Sequence, residues 1–262
     1  MKKQDDDTFI INGESNTIKS RRICNSLNSS EDSSEDNCAL LILVIIGFFN
    51  DFVLSVVHER VPEQPPLPDI VFERTPYIPQ ALVFSEYLIL ISLFIMLLIT
   101  IFHKYRWIIL RRIACIGSLL YFGRCVTILA TQVPVADSNY YCSPKFKDDN
   151  YTFWNVFLRS LQIVGGVGLK INGKHTLCGD YIYSGHTIVF VISCLFIREY
   201  SPRRWKPLHF LSILISMVGV ILLLISRGHY TIDVIISYWI STRIFWIYHT
   251  LAACSNLRVI LF

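Results

Sequence analysis

The chain has 262 residues, of which 53% are hydrophobic and 17% are charged, whereas a soluble domain carries about 25% charged residues. Its mean hydropathy of +0.46 indicates more apolar surface than a soluble protein of this size can bury. The net charge of +4 is small, which excludes nucleic-acid binding as the whole function. We therefore predict a membrane protein with no nucleic-acid partner.

The order of polar and apolar segments predicts the domain organisation. Residues 1–38 are rich in Ser, Asn, Asp and Glu, which is typical of a disordered tail. Six later stretches approach the roughly 20 apolar residues that a helix needs to cross a bilayer. They lie at 39–57, 81–102, 113–135, 181–197, 208–226 and 230–251. The sequence thus predicts an all-α membrane protein with six transmembrane helices in a domain at 39–253, followed by a short cytosolic C-terminus at 254–262.

Basic residues predict the orientation of these spans. The connections after the second and fourth spans are the basic ones, and they hold Lys104, Arg106, Arg111 and Arg112, and Arg198, Arg203, Arg204 and Lys206, respectively. Because basic loops face the cytosol, both termini are predicted to be cytosolic. The third connection is then luminal, which agrees with a glycosylation sequon at Asn150. Cys142 and Cys178 lie in the same connection, where a disulfide could persist.

Three polar residues are predicted at one depth near the luminal face. His186 begins the fourth span, and His229 and Asp233 begin the sixth. If the last helix starts by His229, its side chain and that of Asp233 share one face. An aspartate orients a histidine and leaves its second nitrogen free as a base or nucleophile, while another histidine can protonate a leaving oxygen. This pattern, at two helix N-termini that favour phosphate, predicts phosphoryl transfer.

Each of these residues also has a structural interpretation. A lone histidine at a membrane interface is more often a packing residue, but an intramembrane aspartate costs at least about 2.5 kcal/mol and is functional by default. The combination favours catalysis. We interpret Asn50 and Asp51 in the first span as structural and Arg111 and Arg112 as headgroup anchors, while Arg124 is a candidate phosphate ligand.

Four motifs in order resemble those of the sphingomyelin synthase family. CGDYIYSGHT at 178–187 and HYTIDV at 229–234 are similar to its two signature motifs, and PPLPD at 65–69 to a motif of its first luminal loop. The segment 111–127 resembles its third-span motif. The resemblance implies six spans, cytosolic termini and a luminal active site within the wider lipid phosphate phosphatase superfamily. It also implies that His186, His229 and Asp233 are the catalytic residues.

The resemblance further implies transfer of phosphocholine from phosphatidylcholine to ceramide, which yields sphingomyelin and diacylglycerol. The expected partners are ceramide, phosphatidylcholine or phosphatidylethanolamine and the bilayer, and a homodimer is left open. The Golgi is the expected location, with the endoplasmic reticulum or plasma membrane as alternatives. Vertebrate members usually have Asp or Glu before the second catalytic histidine, where this chain has Gly228. Ceramide phosphoethanolamine synthesis therefore stays an alternative.

Two other functions compete with headgroup transfer. In a lipid phosphate phosphatase, several residues separate a Ser-Arg pair from the histidine. Here Gly228 alone separates the pair Ser226-Arg227 from His229. A lipid transporter would use the polar residues of the first and sixth spans, but no inverted repeat supports it. No CxxC pair with zinc spacing occurs. We expect no cofactor and no metal, and hence full activity in the presence of a chelator.

Overall fold

The computed structural model describes residues 36–137, 142–146, 152–165 and 177–253. Within these ranges the chain forms seven helices and no strand. They are α1 (Asp36–Arg60), α2 (Gln80–Phe102), α3 (Arg106–Ala130), α4 (Phe153–Gly165), α5 (Gly185–Tyr200), α6 (Lys206–Ile225) and α7 (Thr231–Ala253). The predicted tail up to residue 35, the C-terminus at 254–262 and the sequon at Asn150 lie outside the described residues.

Four of these helices, α1, α2, α3 and α6, are long and apolar enough to cross a membrane. This confirms the coarser prediction of an all-α, multi-pass membrane protein. Helix α5 has 16 residues and is about 24 Å long, which is shorter than a hydrocarbon core of about 30 Å. Helix α7 carries Asp233 and Arg243. Both helices coincide with predicted spans, but the count of six spans and their orientation stay predictions.

The predicted span boundaries differ from the helices most at α3 and α5. The third span is predicted at 113–135, but α3 ends at Ala130, with extended backbone at Thr131. Pro134, three residues further on, could not continue the helix. The fourth was predicted from residue 181, but α5 begins at Gly185. Its N-cap is Ser184, whose Oγ accepts a hydrogen bond from the N–H of Thr187 at 3.2 Å.

Helix α4 was not predicted, because its 13 residues are too few to cross a bilayer. It packs along the last turns of α1. The hydroxyl of Ser55 donates to the carbonyl of Val156 at 3.2 Å, and the rings of Phe52 and Phe153 lie 5.6 Å apart. Its outer apolar side chains, including Trp154, are exposed.

Helix α5 lies at the centre of the bundle, in contact with α2, α6 and α7. It is buried over most of its length, and its Ile188, Ile192 and Phe196 join Phe245 of α7 in the largest hydrophobic cluster. The approach to α6 is close, since a Cβ on Gly219 would lie 2.1 Å from the ring of Phe190. The central packing of α5 determines where its first residues, including His186, are held.

The bundle has two ends with different chemistry. At the end that we call the site end, α2, α5 and α7 begin, and the N–H of Ile78 before α2 donates to the carbonyl of Ile225 in α6 at 3.3 Å. Cys142 and Cys178 are joined there by a disulfide. At the opposite end, the guanidinium of Arg112 in α3 donates to the hydroxyl of Tyr200 in α5 at 2.9 Å.

Candidate active site

His229 and Asp233 meet at the site end, although His229 does not lie on the last helix. Helix α7 begins at Thr231, so the helical start at His229 that would align the two residues does not occur. The chain turns before the helix instead and brings Nδ1 of His229 to 3.6 Å from Oδ2 of Asp233. Both side chains are buried. The pairing leaves Nε2 of His229 as the nitrogen available for chemistry.

Two backbone amides hold the carboxylate of Asp233. The N–H of Ile182 donates to Oδ1 at 2.8 Å, and the N–H of Tyr230 donates to Oδ2 at 2.9 Å. Ile182 has a φ of 74°, which is unusual for a β-branched residue. Such left-handed backbone costs of the order of 1–3 kcal/mol and clusters at functional sites. Here the backbone of Ile182, in the motif at 178–187, directs its N–H toward Asp233 in the motif at 229–234.

His186 faces His229 from the first turn of α5. The centroids of the two imidazole rings are 5.6 Å apart, with an angle of 61° between their planes. On its other side, Nε2 of His186 lies 4.0 Å from Oε1 of Glu86 in α2. The Glu86 side chain is only 2% exposed. The structure thus brings the three predicted site residues together and adds a buried carboxylate beside His186.

A charge pair also lies at the start of α5. The guanidinium of Arg124 in α3 forms a salt bridge with Asp180, and Arg124 is buried. A Cβ on Gly185 would lie 1.9 Å from the same guanidinium. A side chain beside His186 would therefore require the Arg124 guanidinium to move from its place against Asp180. In this structure Arg124 has Asp180 as its ionic partner.

Asn50 and Asp51, interpreted as structural from the sequence, lie next to this charge pair. The amide of Asn50 donates to Oδ1 of Asp51 at 3.1 Å, and the thiol of Cys125 lies 3.9 Å from Oδ1 of Asn50. The contact with Cys125 connects α1 with α3, and both contacts support the structural interpretation. Arg111, a predicted headgroup anchor, instead lies 3.5 Å from Asp36 at the opposite end.

Sequence reasoning missed Glu86 and Asp180. The signal for Glu86 is its place in an apolar span, six positions after the start of α2, because an intramembrane carboxylate indicates function by default. Asp180 lies within the signature motif at 178–187. It was passed over because no sequence rule links it to Arg124, which is 56 positions earlier in the chain.

Three residues of the site also have a spacing that suits a cation. Donor atoms of Asp180, His186 and His229 all lie within 4.8 Å of one another. Zinc would hold such atoms at about 2.0–2.2 Å, so the side chains would have to close in around it. Asp180 would then be shared between the ion and the guanidinium of Arg124.

Comparison with known proteins agrees with this geometry. Residues 177–250, which include both histidines and Asp233, match the family described as PAP2 superfamily C-terminal. The fold is that of a multi-pass membrane protein, and the three predicted site residues lie in the segment that matches the PAP2 superfamily.

The similarity to individual relatives is more specific. The chain is 52% identical over 84% of its length to phosphatidylcholine:ceramide cholinephosphotransferase 1 of Caenorhabditis elegans, of which it covers 47%. It is 43% identical over 76% of its length to the human protein of that name, of which it covers 48%. For human sphingomyelin synthase-related protein 1 the identity is 38% over 81% of the chain, which covers 51% of that protein. The chain spans about half the length of the curated relatives that it matches, and over that half it is similar to members of the sphingomyelin synthase family.

Proposed function

We propose that this chain transfers phosphocholine from phosphatidylcholine to ceramide and releases diacylglycerol, with His186, His229 and Asp233 as its catalytic residues. One observation carries the proposal. Two histidines from distant motifs face each other at 5.6 Å, and one of them is paired with a buried aspartate. Relatives with 43–52% identity to the chain are named for this reaction. No cofactor is needed for such a transfer.

In the first step, Nε2 of His229 attacks the phosphorus of the donor lipid. Asp233 holds the imidazole through Nδ1 and balances the positive charge that develops on it. A nitrogen–phosphorus bond forms as the bond from phosphorus to the glycerol oxygen breaks. His186 gives its proton to that oxygen, and diacylglycerol leaves. Glu86, 4.0 Å from His186, orients this ring and balances its charge before the proton is given up.

In the second step, ceramide takes the place of diacylglycerol. His186 accepts the proton of the ceramide primary hydroxyl, the hydroxyl oxygen bonds to phosphorus, and the bond to His229 breaks. Direct attack by ceramide, with His229 as the base, is the alternative route through the same residues. The N-terminus of α5, next to His186, favours the negative phosphate in either route.

The same proposal includes six spans, cytosolic termini, a luminal active site and the Golgi as location. It divides the chain into a disordered tail at 1–38, a catalytic domain at 39–253 and a short C-terminus at 254–262. The disulfide between Cys142 and Cys178 supports a luminal site end, because disulfides persist in oxidising compartments. The basic residues at the opposite end support a cytosolic location for it. A homodimer is compatible with this arrangement.

Ceramide phosphoethanolamine synthesis is the second candidate function. It is retained because this chain has Gly228 where vertebrate members of the family usually have Asp or Glu. The position directly precedes His229, and a Cβ there would lie 3.4–3.5 Å from its nearest neighbours, Leu82, Ser226 and Leu223. The position therefore has room for a Cβ at ordinary contact distances, although the chain has no side chain there. The headgroup that the enzyme selects is the point on which the two candidates differ.

The test uses membranes from cells that lack their own sphingolipid synthases. The chain is expressed there with fluorescent ceramide and a mixture of phosphatidylcholine and phosphatidylethanolamine, and the products are identified by mass. Phosphocholine-ceramide is the expected product. Phosphoethanolamine-ceramide alone would replace the proposal with the second candidate. Hydrolysis of phosphatidic acid without either product would show a phosphatase, and a folded His229→Ala variant with full activity would contradict the assigned mechanism.

A further inference from the structure

The PPLPD motif at 65–69 has no part in the chemistry proposed above, yet it contacts the start of α7. Asp69 lies in the loop between α1 and α2. Its Oδ2 accepts the backbone N–H of Thr231 at 2.7 Å. Its Oδ1 accepts the hydroxyl of Thr231 at 2.7 Å and the N–H of Val71 at 2.9 Å. One carboxylate thus ties the loop to the first residue of α7.

A second contact of the motif lies one residue closer to His229. The N–H of Leu67 donates to the hydroxyl of Tyr230 at 3.1 Å, and this hydroxyl donates to the carbonyl of Pro134 at 3.2 Å. The ring of Tyr230 packs against Phe72 at 5.6 Å and against Tyr181 at 5.4 Å. Segments before α2, after α3 and before α5 therefore all converge on this one buried side chain.

These contacts fall on the two residues that directly follow His229 in the chain. Helix α7 leaves its first N–H groups without partners inside the helix, and a carboxylate there is stabilised by the helix dipole. The cap comes from Asp69, a residue 162 positions away. Because the N–H of Tyr230 also holds Oδ2 of Asp233 at 2.9 Å, any displacement of Tyr230 would change how His229 meets Asp233.

We propose that residues 65–69 form a strap that positions His229 against Asp233, and that Asp69 is its positioning residue. The inference rests on the function proposed for His229. Asp69 does not touch the reacting atoms; it acts through Thr231 and Tyr230. The strap explains why a proline-rich loop between two spans ends in an aspartate.

The carboxylate of Asp69 carries its negative charge at every pH above its ordinary pKa. Burial alone would raise its pKa, but hydrogen bonds from Thr231, Val71 and Phe72 outweigh burial and lower the pKa below the ordinary 3.8. A lowered pKa in the folded state means that the contribution is complete above the ordinary value and is lost only as the pH falls through the lowered one. Asp69 is thus ionised at neutral pH, and its hydrogen bonds to Thr231 do not depend on pH there.

The decisive variant is Asp69→Asn, which keeps the size of the side chain but presents an NH2 group where Thr231 needs an acceptor. We expect kcat to fall by about 10²-fold with KM for both lipids unchanged, since small displacements of a catalytic group cost about this much. The pH profile of kcat should shift as well, because His229 meets Asp233 in altered geometry. Thr231→Ser keeps the hydroxyl and should retain kcat within about twofold. The kcat of Thr231→Val should lie between those of Thr231→Ser and Asp69→Asn.

A matched control separates positioning from folding. Glu59 at the site end holds Arg159 and accepts the N–H of Phe146 at 2.9 Å, so it anchors a different luminal segment. Glu59→Gln should lower the amount of folded enzyme without changing kcat or its pH profile. If Asp69→Asn behaves in the same way, with activity lost only in proportion to folded protein, the strap is merely structural and the inference is wrong.

Hydrogen exchange of the purified full chain gives a readout that needs no turnover. The amides of residues 229–236 should exchange faster in Asp69→Asn than in the wild type, while those of α6 should not change. If the wild type transfers no headgroup, the proposed function fails, but this comparison still tests the strap. Unchanged exchange in Asp69→Asn, together with unchanged kcat, would overturn the inference.

Discussion

His186 and His229 at the site end differ from His249 at the opposite end in how their ring nitrogens are satisfied. At the opposite end, Nδ1 of His249 lies 2.8 Å from the carbonyl of Phe245, and Nε2 lies 2.8 Å from the hydroxyl of Tyr200. Its ring also stacks on Phe245, with centroids 4.1 Å apart. At the site end, Nε2 of His186 and Nδ1 of His229 are buried and have no hydrogen-bond partner among the described residues.

This difference separates a structural histidine from a reactive one. A buried polar atom without a partner costs about 1–3 kcal/mol, and such exceptions to good packing are expected at functional sites. The nitrogens of His186 and His229 face carboxylates at 4.0 Å and 3.6 Å, which are ionic rather than hydrogen-bonding distances. The pairing of Nδ1 with Asp233 leaves Nε2 of His229 available for the reaction, whereas both nitrogens of His249 already have hydrogen-bond partners.

The largest effect on headgroup transfer should therefore come from replacing a histidine at the site end with glutamine, and a histidine at the opposite end provides the control. His229→Gln should reduce headgroup transfer by about 10³-fold or more, because it removes both the nucleophile and its proton chemistry. His249→Gln should leave transfer per folded molecule within about twofold but lower the free energy of unfolding by about 1–3 kcal/mol. Transfer assays on membranes and thermal unfolding in detergent measure the two effects. Loss of activity in both variants would contradict the comparison.

Glu86 offers the next test, because it is a buried charge beside His186 on the α2 helix. Glu86→Gln should reduce kcat by about 10²-fold, since the neutral amide no longer balances the protonated imidazole. The neighbouring Ser85, whose hydroxyl donates to the carbonyl of Gly219 at 2.9 Å, is the matched control. Ser85→Ala should cost about 1 kcal/mol of stability and leave kcat unchanged. A fully active Glu86→Gln enzyme would show that the carboxylate plays no part in catalysis.

Glycines provide a smaller test of the same comparison. Gly185→Ala would drive a methyl group into the guanidinium of Arg124, 1.9 Å from the new Cβ, and should cost about 1–3 kcal/mol together with activity. Gly47 in α1 has nothing within 4 Å of its Cβ position, so Gly47→Ala should be neutral or stabilising by up to about 1 kcal/mol. Thermal unfolding and transfer rates of both variants provide the measurement. Equal stability of the two would mean that Arg124 can leave its place at no cost.

The sequence predicts most of the helices because their apolar runs are long. The predicted spans coincide with α1, α2, α3, α5, α6 and α7 to within a few residues, except at the start and end of α3. Helix α4 escaped prediction because its apolar residues cover one side of a short helix, which packs on α1 through Phe52 and Ser55. Contacts between segments about 100 positions apart leave no pattern in the local sequence.

The residues of the candidate site were predictable because topology alone places His186, His229 and Asp233 at one depth. The groups that surround them were not. Glu86 and Arg124 come from α2 and α3 and reach the site only through the packing of those helices on α5. The left-handed backbone of Ile182, in the segment before α5, is also a tertiary effect, because the amide that it directs has its partner, Asp233, in α7.

The smallest expected effect concerns Gly228, directly before His229. Its backbone is not left-handed, and a Cβ would meet Leu82, Ser226 and Leu223 only at 3.4–3.5 Å, so Gly228→Asp should fold and keep total transfer within a few-fold, about 1 kcal/mol. If the position lies beside the headgroup, the new carboxylate contacts a cationic nitrogen. The ratio of phosphocholine-ceramide to phosphoethanolamine-ceramide should then change by roughly fivefold, as expected for one exposed ionic contact. Gly228→Ala controls for the added bulk and should leave the ratio unchanged. An unchanged ratio in Gly228→Asp would show that headgroup choice is made elsewhere in the site.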